Sequence, residues 1–240
     1  MASSYTTNTG LELVTTGEKA GLWGAITNTN LQILEQSATG YLSLDMAGSS
    51  VTLTLTDGAT SNGKNIYLRL YGTLSANRTL TMPGTANRVW IVKDETVRGA
   101  SNRTLGVLTA SGSTTQIPPG ATVLCRSNGS ETDVTILEKG YATITDSNSP
   151  YTAVAGAQIL ANTTSTIITV TLPAAASTGD EVTIVDARGT FLSNNLTVDR
   201  NGLNINGAAS NLTLSNNGQS LTLVYVDATR GWAYKTNYTS

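Results

Sequence analysis

The chain has 240 residues, 12% of them charged, and a formal net charge of −2. That length suits one large β domain or two small ones, the charge density is about half the usual quarter, and the charge balance offers no broad basic surface to nucleic acid. There is no His and a single Cys, Cys125, which excludes Ser-His-Asp and Cys-His nucleophile pairs, His/Cys zinc cages and internal disulfides.

The N-terminal stretch "MASSYTTNTGLELVTTGEKAG" lacks a basic start followed by an apolar core, so no secretory signal is expected. The Asn-x-Ser/Thr triplets along the chain then read as products of an Asn- and Thr-rich composition rather than glycan sites. Nowhere does an apolar run approach the roughly 18 residues of a membrane span, so no membrane insertion is expected.

The one predicted helix lies in "GEKAGLWGAITNTNLQILEQSATG". Thr27 or Asn28 is its expected cap, and Gly40 its stop. Leu31, Leu34 and Ala38 recur at three- and four-residue steps, Trp23 and Ile26 extend the apolar set, and Ile33 widens it. So short a helix is marginal alone in water and requires a partner. Trp23, Ile26, Leu31, Ile33 and Leu34 are therefore the candidate docking residues. Trp23 reads equally as an anchor into a partner or a cap over the first β domain.

From Tyr41 onward apolar residues alternate with polar ones, as in "YLSLDM", "SVTLTLTDG", "KNIYLRLYG", "NRVWIVKD" and "ATVLCRS". Period-2 stretches bounded by Gly, Pro, Asn and Asp predict strands. Within them Cys125 reads as a small buried hydrophobe. Trp90 alternates against Val89 and Ile91, which places it in a seam between chains or in a groove.

The pattern then starts again. "TLTMPGTANRVWIVKD" matches "TVTLPAAASTGDEVTIVD", with Pro83 and Pro173 in corresponding places and a strand ending in Asp94 or Asp186. "SNRTLGV" resembles "SNNLTVD", and "PPGATVLCRSNGSETDVTIL" resembles "NNGQSLTLVYVDATRGWAYK". This order argues for a tandem duplication. The expectation is an all-β chain: an arm and helix over 1–40, then two tandem β-sandwich or jelly-roll-like domains over 41–140 and 141–240. Asn201-Gly202, Asn206-Gly207 and Asn217-Gly218 supply the positive φ that tight turns need.

Two look-alike motifs fail on context. "GATSNGKN" approaches a phosphate-binding loop, but Asn65 stands where Ser or Thr should hold magnesium and a strand follows, so Asn62-Gly63 reads as a hairpin turn. "DRNGLN" opens like a calcium loop without its terminal Glu. Asp94 and Asp186 occupy matching places in separate repeats, so they are not a facing catalytic pair. No catalytic residue, cofactor or metal is expected. Trp232 and Tyr234 share one face of the last strand; core is the default reading of the pair, and a surface for stacking on a glycan is the sharper one.

The segment Thr7–Tyr41 carries T-G-x-x-x-G-x-W-G followed by T-N-x-N-L and a short helix. In this it resembles the N-terminal segment of tail-fibre and virion appendage proteins of tailed phages, particularly marine and cyanobacterial ones. "TVTLPAAASTGDEVTIVDARGTFLSNNLTVDRNG" is similar to a β module of phage tail fibres. The resemblance implies a non-enzymatic virion part, a trimer whose N-terminus docks on tail, collar or capsid proteins and which contributes to host attachment, with a host surface glycan as a further partner. It also leaves open a capsid decoration or collar protein and, in a different class, a glycan depolymerase.

Overall fold

The computed structural model describes residues 3–84, 87–99, 103–108, 112–128 and 131–238. Thr85, Ala86, Ser101, Asn102, Gly129 and Ser130 of the compared stretches lie outside these. The order begins β1 (Ser4–Tyr5), β2 (Glu12–Leu13), α1 (Trp23–Thr39), β3 (Tyr41–Asp45), β4 (Val51–Thr52), β5 (Tyr67–Thr73), β6 (Arg78–Thr81), β7 (Asn87–Val97), β8 (Leu105–Leu108), β9 (Thr114–Gln116), β10 (Thr122–Asn128) and β11 (Thr132–Glu138). It continues with β12 (Tyr141–Ile144), β13 (Tyr151–Thr152), β14 (Gln158–Ala161), β15 (Ile168–Thr171), β16 (Glu181–Asp186), β17 (Leu196–Asp199), β18 (Leu212–Leu214), β19 (Ser220–Asp227) and β20 (Gly231–Tyr238). Residues 1–97, 105–115 and 122–137 form one compact unit, and 98–104, 116–121 and 138–240 form the other.

The expected sandwiches or jelly rolls are not what these strands build. Of the described residues 44% are strand and 10% helix, and the strands form β-solenoid-like stacked turns within each unit, about six in all. In the first unit β3 pairs in parallel with β5 and β5 with β7, so that Tyr41 faces Tyr67 and Tyr67 faces Ile91, while β10 pairs antiparallel with β7. A second sheet forms the same way, with Val51 opposite Leu80 and Leu80 opposite Val107. Each turn thus contributes one strand to each sheet. The second unit repeats the scheme, β12-β14-β16 in one sheet and β13-β15-β17 in the other, all parallel. Later strands complete the sheets, giving the orders β3-β5-β7-β10-β11 with β4-β6-β8-β9, and β12-β14-β16-β19-β20 with β13-β15-β17-β18. The two units share one strand order.

The correction has a local cause. Alternation is satisfied equally by antiparallel and parallel pairing, so the corners decide. Asp94 takes the Thr96 N–H at 2.9 Å inside β7, which runs on to Val97, but where β3, β14 and β16 end, an Asp or Asn side chain takes the backbone N–H two residues on: Asp45 from Ala47 at 2.9 Å, Asn162 from Thr164 at 3.1 Å and Asp186 from Arg188 at 3.2 Å. These Asx bends re-aim the chain into the other sheet rather than back along the same one. Asn62-Gly63 likewise opens a 3-10 turn, Asn62–Lys64, and not a hairpin. At Asn201-Gly202 (φ 50° and 87°) and Asn206-Gly207 (50° and 81°) both residues have the positive φ that the pairs suggest.

Stacked turns align like with like on the inside. Leu68 sits beside Val92 and Ile159 beside Ile184, all four fully buried. The second core is drawn wholly from residues between Ala142 and Trp232, with Phe191 and Trp232 its largest fully buried members.

Candidate docking surface

The N-terminal segment is built around one reversal. Lys19 (φ 59°) and Gly21 (φ 81°) turn the chain just ahead of the helix. The helix therefore starts at Trp23, with Leu22 in the cap position and no side-chain cap bond, and not at the expected Thr27 or Asn28. At the other end Gly40 stops it as expected, its N–H donating to the Gln36 carbonyl at 2.9 Å. A Cβ there would come within 2.2 Å of that oxygen, so only glycine fits.

One face of α1 is seated on the first unit. Ile33 is fully buried, Gln36 Oε1 accepts the Ser61 N–H at 3.2 Å, and Ser37 Oγ accepts from the Arg88 guanidinium at 3.4 Å. Asn30 grips the arm, accepting the Glu12 N–H and donating to the Glu12 carbonyl, both at 2.9 Å. Glu12 in turn takes a hydrogen bond from Ser3 and an ion pair from Lys19 at 3.0 Å, which together hold its carboxyl below the usual value.

The adjacent face has no cover among the described residues. Trp23 is 63% exposed, Leu31 57% and Leu34 45%. With Thr27 and Ala38 they step by 4, 4, 3 and 4 residues, which keeps them in one stripe along the helix. The five candidate docking residues therefore divide: Trp23, Leu31 and Leu34 line the stripe, Ile26 is half-buried at its edge, and Ile33 is core. Starting the helix at Trp23 is what brings the Trp into register with the two Leu. Covering the three side chains would contribute roughly 5 kcal/mol gross at about 25 cal/mol per Å2, before the costs of association.

Trp232 and Tyr234 do not form a two-ring platform. Trp232 is fully buried, its ring edge-on to Tyr225 at 5.6 Å, while Tyr234 is 42% exposed. Trp90 is also core, and its indole N–H donates to the Gly63 carbonyl at 2.8 Å. Burial pushes the Cys125 thiol up to about 12, so it is not a nucleophile at neutral pH. The lysine of the phosphate-loop look-alike, Lys64, is buried and donates to the Thr56 and Ala59 carbonyls at 2.6 and 2.7 Å. Its ammonium organises a loop. Among the described residues no three His, Cys, Asp or Glu side chains gather as a metal site, and no helix is long and apolar enough to cross a membrane.

An aromatic strip on the outer face of β3 and β5 went unread in the sequence. Tyr41 and Tyr67 stack at 5.4 Å with 12° between planes, and the Arg69 guanidinium lies 5.2 Å over Tyr71 while bonding Glu95 at 2.7 Å. Parallel neighbours 26 residues apart brought the rings together, a separation invisible to local pattern.

No protein-family model and no curated protein matches the sequence. Among solved structures the chain is similar to one described as the structure of a chaperone-substrate complex, at 15% identity and a TM-score of 0.35, over 82% of this chain and 32% of that one. The chain thus spans about a third of that protein's length.

Proposed function

We propose that this protein is a non-enzymatic structural part of a virion, a tail fibre or fibre-like appendage, that self-associates as a trimer and docks through its N-terminal helix. The observation that carries this reading is the division of labour on α1. One face is anchored by Ile33, Gln36 and Ser37, and the next presents Trp23, Leu31 and Leu34 to solvent. A helix held rigidly while its apolar stripe stays open is pre-organised for a partner, since little ordering remains to be done on binding. The resemblance of Thr7–Tyr41 to phage appendage proteins supports the location.

The decisive experiment changes the stripe and leaves the seat intact. Leu31→Glu with Leu34→Glu should convert a trimer to a monomer in sedimentation equilibrium and abolish co-purification with particles, with the circular dichroism spectrum unchanged. A wild-type monomer at micromolar concentration, or a variant that still assembles and enters particles, would overturn the reading.

A further inference from the structure

The outer face of the first unit's main sheet carries a row of aromatic and apolar side chains. Tyr41 pairs with Tyr67, Tyr67 with Ile91, and Ile91 with Leu124, so the four stand side by side across β3, β5, β7 and β10. Their strand neighbours Leu68, Val92 and Val123 are fully buried, which turns the row outward. Tyr41 is 57% exposed and the other three are half-buried. At the next outward position along β7 and β10, Val89 lies opposite Arg126, and both are exposed. Arg126 has no carboxylate partner among the described residues.

This row and the α1 stripe are two open surfaces on one unit, and their dimensions agree. Trp23 and Leu34 stand 11 residues apart, about 16 Å along a helix at 1.5 Å per residue. The row crosses four strands, about 14 Å at the usual strand spacing of roughly 4.8 Å. Their charges are also complementary. Glu35 is the only ionisable side chain of α1, and it lies exposed on the flank of the stripe, one turn beyond Leu31, with no ionic partner among the described residues. Arg126 flanks the β10 end of the row. Laying a helix along the row with its Glu35 at Arg126 puts Leu31 and Leu34 over Leu124 and Ile91. The same placement carries Trp23 to Tyr41, whose outer ring face is open because β3 is the edge strand. The stripe and the row are both exposed in a single chain, so the helix that covers the row belongs to another copy. A contact between two different patches is heterologous, and it closes into a ring when its rotation allows.

We propose that the α1 stripe of one copy, with Trp23, Leu31 and Leu34, lies on the row of Tyr41, Tyr67, Ile91 and Leu124 in the next copy around the trimer, with Glu35 facing Arg126. This rests on the trimeric reading above and names the surface that receives the helix.

The test is sedimentation equilibrium on two blocked full-length variants, alone and mixed. Leu31→Glu with Leu34→Glu removes the stripe, and Tyr41→Ala with Ile91→Glu removes the row. Each alone should be a monomer. Mixed in equal amounts they should form a heterodimer, because the second brings an intact stripe to the intact row of the first. Charge exchange reads the same contact independently. Glu35→Arg and Arg126→Glu should each weaken self-association roughly 5-fold or more, and combined they should restore it. Both positions are exposed, so this pair decides if the row variant fails to fold. No heterodimer from folded variants, or no restoration by the charge exchange, would overturn the inference. A row variant that is folded by circular dichroism and still forms a trimer would show the stripes packing on one another. If it also fails to enter particles, the row meets a different virion protein. Either result overturns this inference and leaves the trimeric reading standing, whereas a monomeric wild type overturns both.

Discussion

Asp186 sits at the end of β16 with its two oxygens taking four backbone N–H groups, from Arg188, Thr190, Phe191 and Gly218, at 3.0 to 3.2 Å. Burial raises its proton affinity, but these four donors outweigh that and hold the carboxyl below its ordinary value. A depressed folded value means its stabilisation is complete above the unfolded value, about pH 4, and is lost as pH falls through the folded one. Asp186→Asn presents an amide N–H2 to donors that need acceptors. It should cost about 2–3 kcal/mol in urea unfolding at pH 7, with the loss shrinking below about pH 4 as the wild-type carboxyl protonates. The two buried indoles offer a second comparison at this scale. Trp90 donates to a carbonyl, whereas the Trp232 Nε1 has no partner among the described residues. Trp90→Phe should destabilise by about 1 kcal/mol more than Trp232→Phe, the net worth of one hydrogen bond; equal losses would count against that role for the Trp90 bond.

At the scale of the element, α1 combines a buried row and an open one. Ile33→Ala empties a fully buried position and should cost about 3 kcal/mol of unfolding free energy. Leu31→Ala on the open stripe should change the stability of the isolated chain by no more than about 0.5 kcal/mol yet weaken self-association. Calorimetry and sedimentation on the same pair of variants read both effects. A helix in this stretch and its stop at Gly40 were legible in the sequence, because apolar spacing and a glycine are local signals. Its start was not, since the turn at Lys19 and Gly21 depends on the arm being tied down by Asn30. Which apolar residues were seat and which were stripe was also hidden, because Ile33 and Leu34 are adjacent in sequence and differ only in what lies opposite them.

At the scale of the whole molecule, residues 1–40 belong to the first unit rather than merely preceding it. Besides Ile33, the Gly58 N–H donates to the Gly10 carbonyl at 2.8 Å and the Asn87 N–H to Asn8 Oδ1 at 3.1 Å. The second core, by contrast, uses none of these residues. Deleting residues 1–40 should therefore speed amide exchange in β5, β7 and β10 while leaving β14, β16 and β19 protected. Uniform exchange rates in both units after the deletion would show that the arm does not support the first unit selectively.

Some properties of this protein were determined by the sequence alone. Alternation of apolar and polar residues requires strands, Asn201-Gly202 and Asn206-Gly207 require left-handed corners, and a chain without His and with one Cys has no ordinary triad or disulfide to form. Each follows from a residue's own chemistry or from neighbours within a few positions. Only the tertiary structure decided that the first three strands of each main sheet run parallel in stacked turns, that Trp232 and Trp90 face inward, and that Trp23, Leu31 and Leu34 face outward. Alternation assigns residues to two faces without saying which is inside, and it is blind to strand direction. Those choices rest on where the Asx bends at Asp45, Asn162 and Asp186 send the chain, and on pairings such as Tyr41 with Tyr67 that no local window contains.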